Sequence, residues 1–350
     1  MQILSDLHHS GLYNSLKITL EDRLHHKLYR PIGMSWADEY WKIHKPYDYN
    51  MDTARQYLDL HDVFTPKDGT PCLNEIRSAN SAYYTLDERQ HHYVQKALTL
   101  EQFADMDIDY IIASIPDHYV SFAKLRDRFH PKAKVICQAG NIGWNDPIRT
   151  MIREGVVKNL MASVAPFKVD CHSVFYHQEL DTKVFTYKEP IVRNQITSFV
   201  IGLPQKEIFF QYQKALRGFN MEYWAALDKP FLGDIRDIAR RMQDSTFIWQ
   251  LKPMGDGFGH SWYGAGFCGR PLITNFSDYK DKLGAEIFED NVTGIDLEAG
   301  TVAENVERII KASSPDNHNA MCQAMNNKIK SSIDYAKEAQ SIEQFLSACK

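Results

Sequence analysis

The chain has 350 residues, 44% hydrophobic and 24% charged, with a net charge of −5. That is a globular balance with room for two domains, each with its own core. No apolar stretch reaches the about 18 residues of a membrane span, and the start, MQILSDLHHSG, lacks the pattern of a signal peptide. Six widely spaced cysteines without a CxxC pair argue against a zinc site or a disulfide framework and for a reducing cytoplasm. The acidic balance excludes a protein that coats nucleic acid non-specifically.

In chain order, residues 1–4 read as a short strand ending at Ser5-Asp6, followed by a His-rich turn with His8 and His9. Residues 12–24 have helical periodicity, and 27–31 form the next strand. Residues 33–75, rich in Trp, Tyr and Asp, read as a long excursion. A helix over 98–106 precedes a buried strand at 110–114, then Asp117 and a helix over 118–129. Strands follow at 134–138, 160–163 and 173–176, completing a parallel sheet. Beyond Lys188-Glu189-Pro190 a second unit begins. It has strands at 196–201 and 222–227, helices at 209–216 and 235–242, then strands at 246–251 and 271–274 around a glycine-rich turn. Helices over 303–312 and 317–345 close the chain.

Six of the 18 glycines lie between Gly255 and Gly269. Strand, glycine turn, helix (260–268) and strand make a βαβ unit, which sets a helix N-terminus at the carboxyl edge of a parallel sheet. Backbone N–H groups and the helix dipole converge there on an anion, so the segment is expected to hold a nucleotide's phosphates. Gly257 and Gly259 allow close approach, Ser261 offers a hydroxyl, and His260 is either a donor to phosphate or sugar or a helix cap. Lys252 serves the phosphates or lies on the surface.

Asp6 and His8 follow the first strand, and Asp117 and His118 follow the strand at 110–114. In that position an acid or imidazole can orient or deprotonate an acceptor hydroxyl. The run CHSVFYHQELD, with His172, His177, Gln178, Glu179 and Asp181, is either near a hinge or a surface turn. Lys124, Arg126, Arg128, Lys132 and Lys134 form a basic patch, which is a solvated helix end or a platform for an anionic acceptor such as DNA. Asp107-Ile108-Asp109 fits a short metal motif that is common by chance. There is no GxxxxGK[ST] phosphate loop, no GxSxG elbow and no GxGxxG fingerprint near the first strand.

The segment DGFGHSWYGAGFCGRP resembles the phosphate-binding stretch of two-Rossmann-domain (GT-B) glycosyltransferases, notably the large retaining class. The matching residues are Asp256, Gly257, Phe258, Gly259, Cys268, Gly269, Arg270 and Pro271, with Asn291, Thr293 and Gly294 in the stretch after it. The resemblance implies an α/β fold of two Rossmann-like domains facing across a cleft. The expected divisions are an acceptor-side domain over 1–190, a nucleotide-sugar domain over 191–328, and a final helix over 329–350 packing back on the first domain. It implies transfer of a hexose, by default glucose from UDP-glucose, to a hydroxyl acceptor with retention and without a metal. Asp256 would bind sugar hydroxyls, and Lys206 and Arg193 join Lys252 as candidates for the diphosphate. Members place a glutamate eight residues after the first acidic position to grip the ribose, where this chain has Gly264. Phage-type enzymes of this fold glycosylate hydroxymethylated pyrimidines in DNA, so DNA stands beside a small metabolite or glycan as expected acceptor. A non-catalytic nucleotide-sugar-binding protein is the alternative.

Overall fold

The computed structural model describes residues 1–6, 10–31, 97–98, 100–140, 145–163, 170–191, 194–229, 232, 235–255 and 259–349. By contacts the chain forms two compact units. The first gathers described residues of Met1–Ser163, Phe167–Glu179 and Tyr335–Lys350, and the second those of Val164–Pro166 and Leu180–Asp334. Those three residues apart, the chain passes from the first unit to the second after Glu179 and returns after Asp334.

The first unit holds a seven-stranded sheet in the order β3-β2-β1-β4-β5-β6-β7, with every pairing parallel. The strands are β1 (Gln2–Ser5), β2 (Lys27–Pro31), β3 (Ala97–Leu98), β4 (Tyr110–Ala113), β5 (Lys134–Ala139), β6 (Asn159–Ala162) and β7 (His172–Phe175). Runs such as Tyr110-Ile111-Ile112-Ala113 are apolar on both faces, as a parallel sheet covered by helices on two sides requires. One face packs Leu4, Phe103, Ile111, Phe122 and Leu160. The other packs Ile3, Leu20, Ile112 and Met161. The helices are α1 (Ser10–Leu16), α2 (Leu100–Asp105), α3 (Pro116–Phe129) and α4 (Asn145–Arg153). A π-helical turn, Lys17–Arg23, extends α1. Proline at the start of α3, Asp117 in its first turn and Arg126 and Arg128 in its last suit the helix dipole.

The second unit holds a five-stranded parallel sheet, β12-β11-β10-β8-β9. Its strands are β8 (Gln195–Ser198), β9 (Asn220–Tyr223), β10 (Phe247–Trp249), β11 (Leu272–Thr274) and β12 (Gly294–Asp296). Around it lie α5 (Lys206–Ala215), α6 (Ile235–Asp244), α7 (His260–Cys268), α8 (Val302–Ala312) and α9 (Pro315–Ser332). Thr301 and Glu304 form a reciprocal capping box at the start of α8.

The expected single helix over 317–345 is two. Ile333 leaves the helical region (φ −117°, ψ 118°), ends α9, and is buried. A new helix, α10 (Tyr335–Ser347), then joins the first unit, where Ile342, Phe345 and Leu346 complete one face of the core. The outgoing and returning passages are tied within the first unit. His177 bonds Glu338 through both its backbone N–H (2.9 Å) and Nδ1 (2.6 Å), and the Tyr335 hydroxyl donates to Gln178 O at 3.2 Å. Buried Glu179 accepts from Arg23 Nε (2.6 and 2.9 Å) and the Thr19 hydroxyl (3.2 Å) on the π-helical turn. The CHSVFYHQELD cluster thus anchors the passage between units.

Candidate functional sites at the two sheet edges

In an open parallel sheet, ligands bind at the carboxyl edge where strand order reverses, because loops from neighbouring strands diverge there. In the second sheet that point lies between β8 and β10. The loop after β8 leads into α5 through Gln205, which is left-handed (φ 59°), so Lys206 stands exposed at the first helical position. The loop after β10 carries Lys252 and turns at Pro253-Met254-Gly255, closed by Gly255 N–H to Lys252 O at 2.8 Å. Met254 and Gly255 are both left-handed (φ 65° and 70°). The Asp278 carboxylate holds the Met254 N–H at 2.8 Å, and a Cβ on Gly255 would lie 2.2 Å from the Asp278 carbonyl oxygen. Only glycine allows this turn.

α7 follows. Its N-cap, Gly259, makes no side-chain cap, so the first-turn N–H groups have no capping side chain. At the other end Gly269 (φ 68°) closes a Schellman-type cap, with Gly269 N–H to Gly266 O and Arg270 N–H to Ala265 O. His260 is buried in the first turn and Ser261 half-buried. Asp256, Gly257, Phe258 and Arg193 lie outside the described residues, as does His8.

Gly264, the place of the ribose glutamate in the resembling family, lies in the middle of α7. A Cβ there would lie 3.1 Å from Met242 Sδ and 3.1–3.2 Å from the Phe185 ring. Apolar side chains crowd the position, and a carboxylate there would have to displace them by a few tenths of an ångström. Arg270, a motif residue, is fully buried and donates to the carbonyls of Gln243, Cys268, Gly269 and Lys188. It ties the ends of α6 and α7 together.

In the first sheet the order reverses between β1 and β4. Asp6 follows β1 and is 2% exposed. One carboxylate oxygen, Oδ2, accepts the Ser114 N–H at 2.9 Å and His118 Nδ1–H at 2.6 Å. The other, Oδ1, is buried without a partner among the described residues. His118, also 2% exposed, sits in the first turn of α3. A carboxylate can only accept from the ring, so this contact calls for a proton on Nδ1, and in the neutral imidazole Nε2 is then the acceptor nitrogen. Asp117 points to solvent. The structure brings Asp6 and His118 together and leaves Asp117 out. Sequence reasoning passes over Ser114, whose only signal is its place at the end of a buried strand.

The basic patch lies elsewhere. α3 starts at the carboxyl edge and ends at the amino edge, so Arg128 is about 15 Å along the helix from His118. Arg126 donates to Ala133 O at 3.3 Å and pairs with Asp127, and Arg128 lies over the Phe129 ring. Lys132 is exposed, and Lys134 opens β5. Asp109, of the short metal motif, accepts the Gln2 N–H at 2.7 Å at that amino edge. Among the described residues no helix is long and apolar enough to cross a membrane.

Two doubly wound parallel sheets on one chain are also the architecture of its structural relatives. HepE of Anabaena, in complex with UDP and glucose, superposes with a TM-score of 0.60 over 99% of both chains at 13% identity. This is the GT-B fold. A second GT-B structure, an alpha-glucosyltransferase in complex with UDP-glucose and DNA containing an abasic site, gives a TM-score of 0.59 at 11% identity over 99% of each chain. A variant of S. aureus TarM, in a complex containing UDP, gives 0.53 at 12% identity over 68% of this chain, which spans 55% of the TarM chain. No protein-family model and no curated protein matches the chain by sequence.

Proposed function

We propose that the chain is a glycosyltransferase that moves a hexose from a nucleoside diphosphate sugar to a hydroxyl acceptor. The observation that carries this reading is the switch point of the second sheet, where α5 and α7 begin beside Lys206 and Lys252. A departing diphosphate is stabilised there by helix N-termini and ammonium groups, with no metal ion needed. Three GT-B structures that contain UDP or UDP-glucose support a uridine donor, with UDP-glucose the first to test. In this reading Gly257, Phe258, Gly259, Ser261 and Arg193 complete the phosphate cradle, and Asp256 and His260 meet the sugar. His118, oriented by Asp6, receives or positions the acceptor hydroxyl, and His8 is a second candidate for that role. Retention follows from the likeness of the motif to the retaining class, and the enzyme acts in a reducing cytoplasm.

A hydroxymethylated pyrimidine in DNA is the acceptor favoured by the full-length match to a glucosyltransferase bound to DNA. The basic patch, at the far edge of the first sheet, would then hold flanking phosphates rather than the reacting base. A glycan or small metabolite is the other acceptor class.

The test is incubation with UDP-glucose and hydroxymethylated DNA in the presence of EDTA, followed by mass spectrometry of nucleosides. An added hexose on one base is expected, and the anomeric proton coupling by NMR reads retention. His118→Asn should lose transfer while keeping UDP affinity. Binding of UDP-, GDP-, ADP- and dTDP-sugars without turnover on DNA, glycan or small hydroxyl acceptors would make the protein a non-catalytic binder instead.

A further inference from the structure

β1 and β4 pair in parallel with Ser5 beside Ile112, so Asp6 and Ser114 leave the first sheet next to each other. The bonds made there fix the Asp6 carboxylate in one orientation. Its Oδ2 takes both donors, the Ser114 N–H at 2.9 Å and His118 Nδ1–H at 2.6 Å. Oδ1 is left buried with no donor among the described residues, and the buried Ser114 hydroxyl has no partner there either. A carboxylate oxygen withdrawn from water without a donor is costly, and its persistence calls for a group that completes it. An ionised carboxylate only accepts, so that group must donate. It must also suit an acidic surrounding. Asp117 lies in the first turn of α3 and Asp6 bonds His118 of the same turn, which favours an uncharged group over a phosphate.

We infer that Asp6 is a specificity-determining residue: its Oδ1 takes a hydrogen bond from a donor group that neighbours the reacting hydroxyl of the acceptor. Among hydroxymethylated pyrimidines this selects cytosine, whose amino group donates beside the hydroxymethyl. It rejects uracil, which presents carbonyl lone pairs at the same place. A base flipped out of the duplex offers that edge to the site. The inference rests on the acceptor site and the DNA acceptor proposed above, and gives Asp6 a contact of its own beside its hold on His118. The same bonds dictate what an amide does there. In Asp6→Asn the Ser114 N–H and His118 Nδ1–H still require an acceptor, so the amide oxygen takes the place of Oδ2 and the amide nitrogen that of Oδ1. The site then presents a donor where it presented an acceptor, and the preference turns toward uracil.

Competition between two duplexes of one sequence, carrying hydroxymethylcytosine or hydroxymethyluracil, tests it, with UDP-glucose, the full chain and mass spectrometry of nucleosides. The unaltered chain should favour the cytosine by roughly thirtyfold or more. Asp6→Asn should be slower on both and should lower that ratio by about tenfold or more. Loss of His118 orientation alone slows both acceptors alike and leaves the ratio where it was. Equal transfer to the two duplexes, or an Asn variant with the original ratio, overturns the inference and leaves the glycosyltransferase reading standing. If neither duplex gains a hexose, the DNA acceptor fails and the inference with it. Should the variant not fold, hydroxymethylcytosine dimethylated on its amino nitrogen decides, since it keeps the ring and loses the donor. Transfer to it by the unaltered chain should fall as it does for uracil, and transfer at the cytosine rate overturns the inference.

Discussion

Arg270 is a charged side chain with no exposed surface, and its guanidinium is spent on four backbone carbonyls. Carbonyls at helix ends carry partial negative charge, so one cation satisfies the termini of both α6 and α7. Arg270→Met leaves those carbonyls buried without donors. It should lower stability on the order of 3 kcal/mol, and Arg270→Lys should recover only part because one ammonium cannot reach all four. Urea unfolding of the two variants measures this. His318 lies nearby, its Nε2 2.7 Å from Thr246 O and its ring against Phe247. Burial foremost, and the charge of Arg270, hold its pKa below the ordinary 6.5, against the opposing pull of the Thr246 carbonyl. The unfolded chain therefore takes up a proton near pH 6.5 that the folded chain refuses. The stability this group contributes is present above 6.5 and is lost as pH falls through the lower folded value. The urea midpoint should drop between pH 7 and pH 5, and His318→Gln should flatten that slope. Burial also pushes the thiols of Cys268 and Cys322 up to about 12. At pH 8 they should resist iodoacetamide in the folded protein and react on unfolding.

Among the elements, the turn that precedes α7 is the least replaceable. Gly255→Ala combines a left-handed φ of 70° with a Cβ placed 2.2 Å from a backbone oxygen, which no rotamer can relieve. A loss of about 2 kcal/mol or more is expected, with UDP binding falling further than stability alone accounts for. Thermal unfolding with and without UDP separates the two effects. This element also marks how far the sequence could be read. Strand, glycine turn and helix stand out because the apolar runs and the cluster of glycines each have a local cause. The left-handed turns at Leu203, Ala225 and Leu227 left no such trace, since Leu and Ala carry no preference for that backbone and tertiary contacts impose it. Asp6 and His118 could each be placed at a strand's carboxyl end. Their pairing across 112 positions depends on the β1–β4 register, which local pattern does not fix. The break at Ile333 was hidden for a similar reason: no proline or glycine marks it, and it arises because the chain returns to the first unit.

At the scale of the whole molecule, the chain starts in one unit, builds another, and comes back. Apart from three residues, the second unit is a single stretch, Leu180–Asp334, and the first is completed only by α10. Ile342, Phe345 and Leu346 each withdraw apolar surface on the order of 2 kcal/mol from water against Ile3, Leu28 and Ile112. During synthesis that face of the first sheet stays uncovered until Phe345 and Leu346 have left the ribosome. Domains commonly fold in the order in which they emerge. Here the order should invert, with the later-made unit native first and the earlier-made one waiting for its last helix. Limited proteolysis of nascent chains stalled on a linker that brings residue 334 clear of the ribosome should find 180–334 protected and 1–179 cut. Protection of both would mean that α10 is dispensable for folding. The first sheet thus stays half-dressed while Leu180–Asp334 is made, and that interval is when chaperone capture is expected.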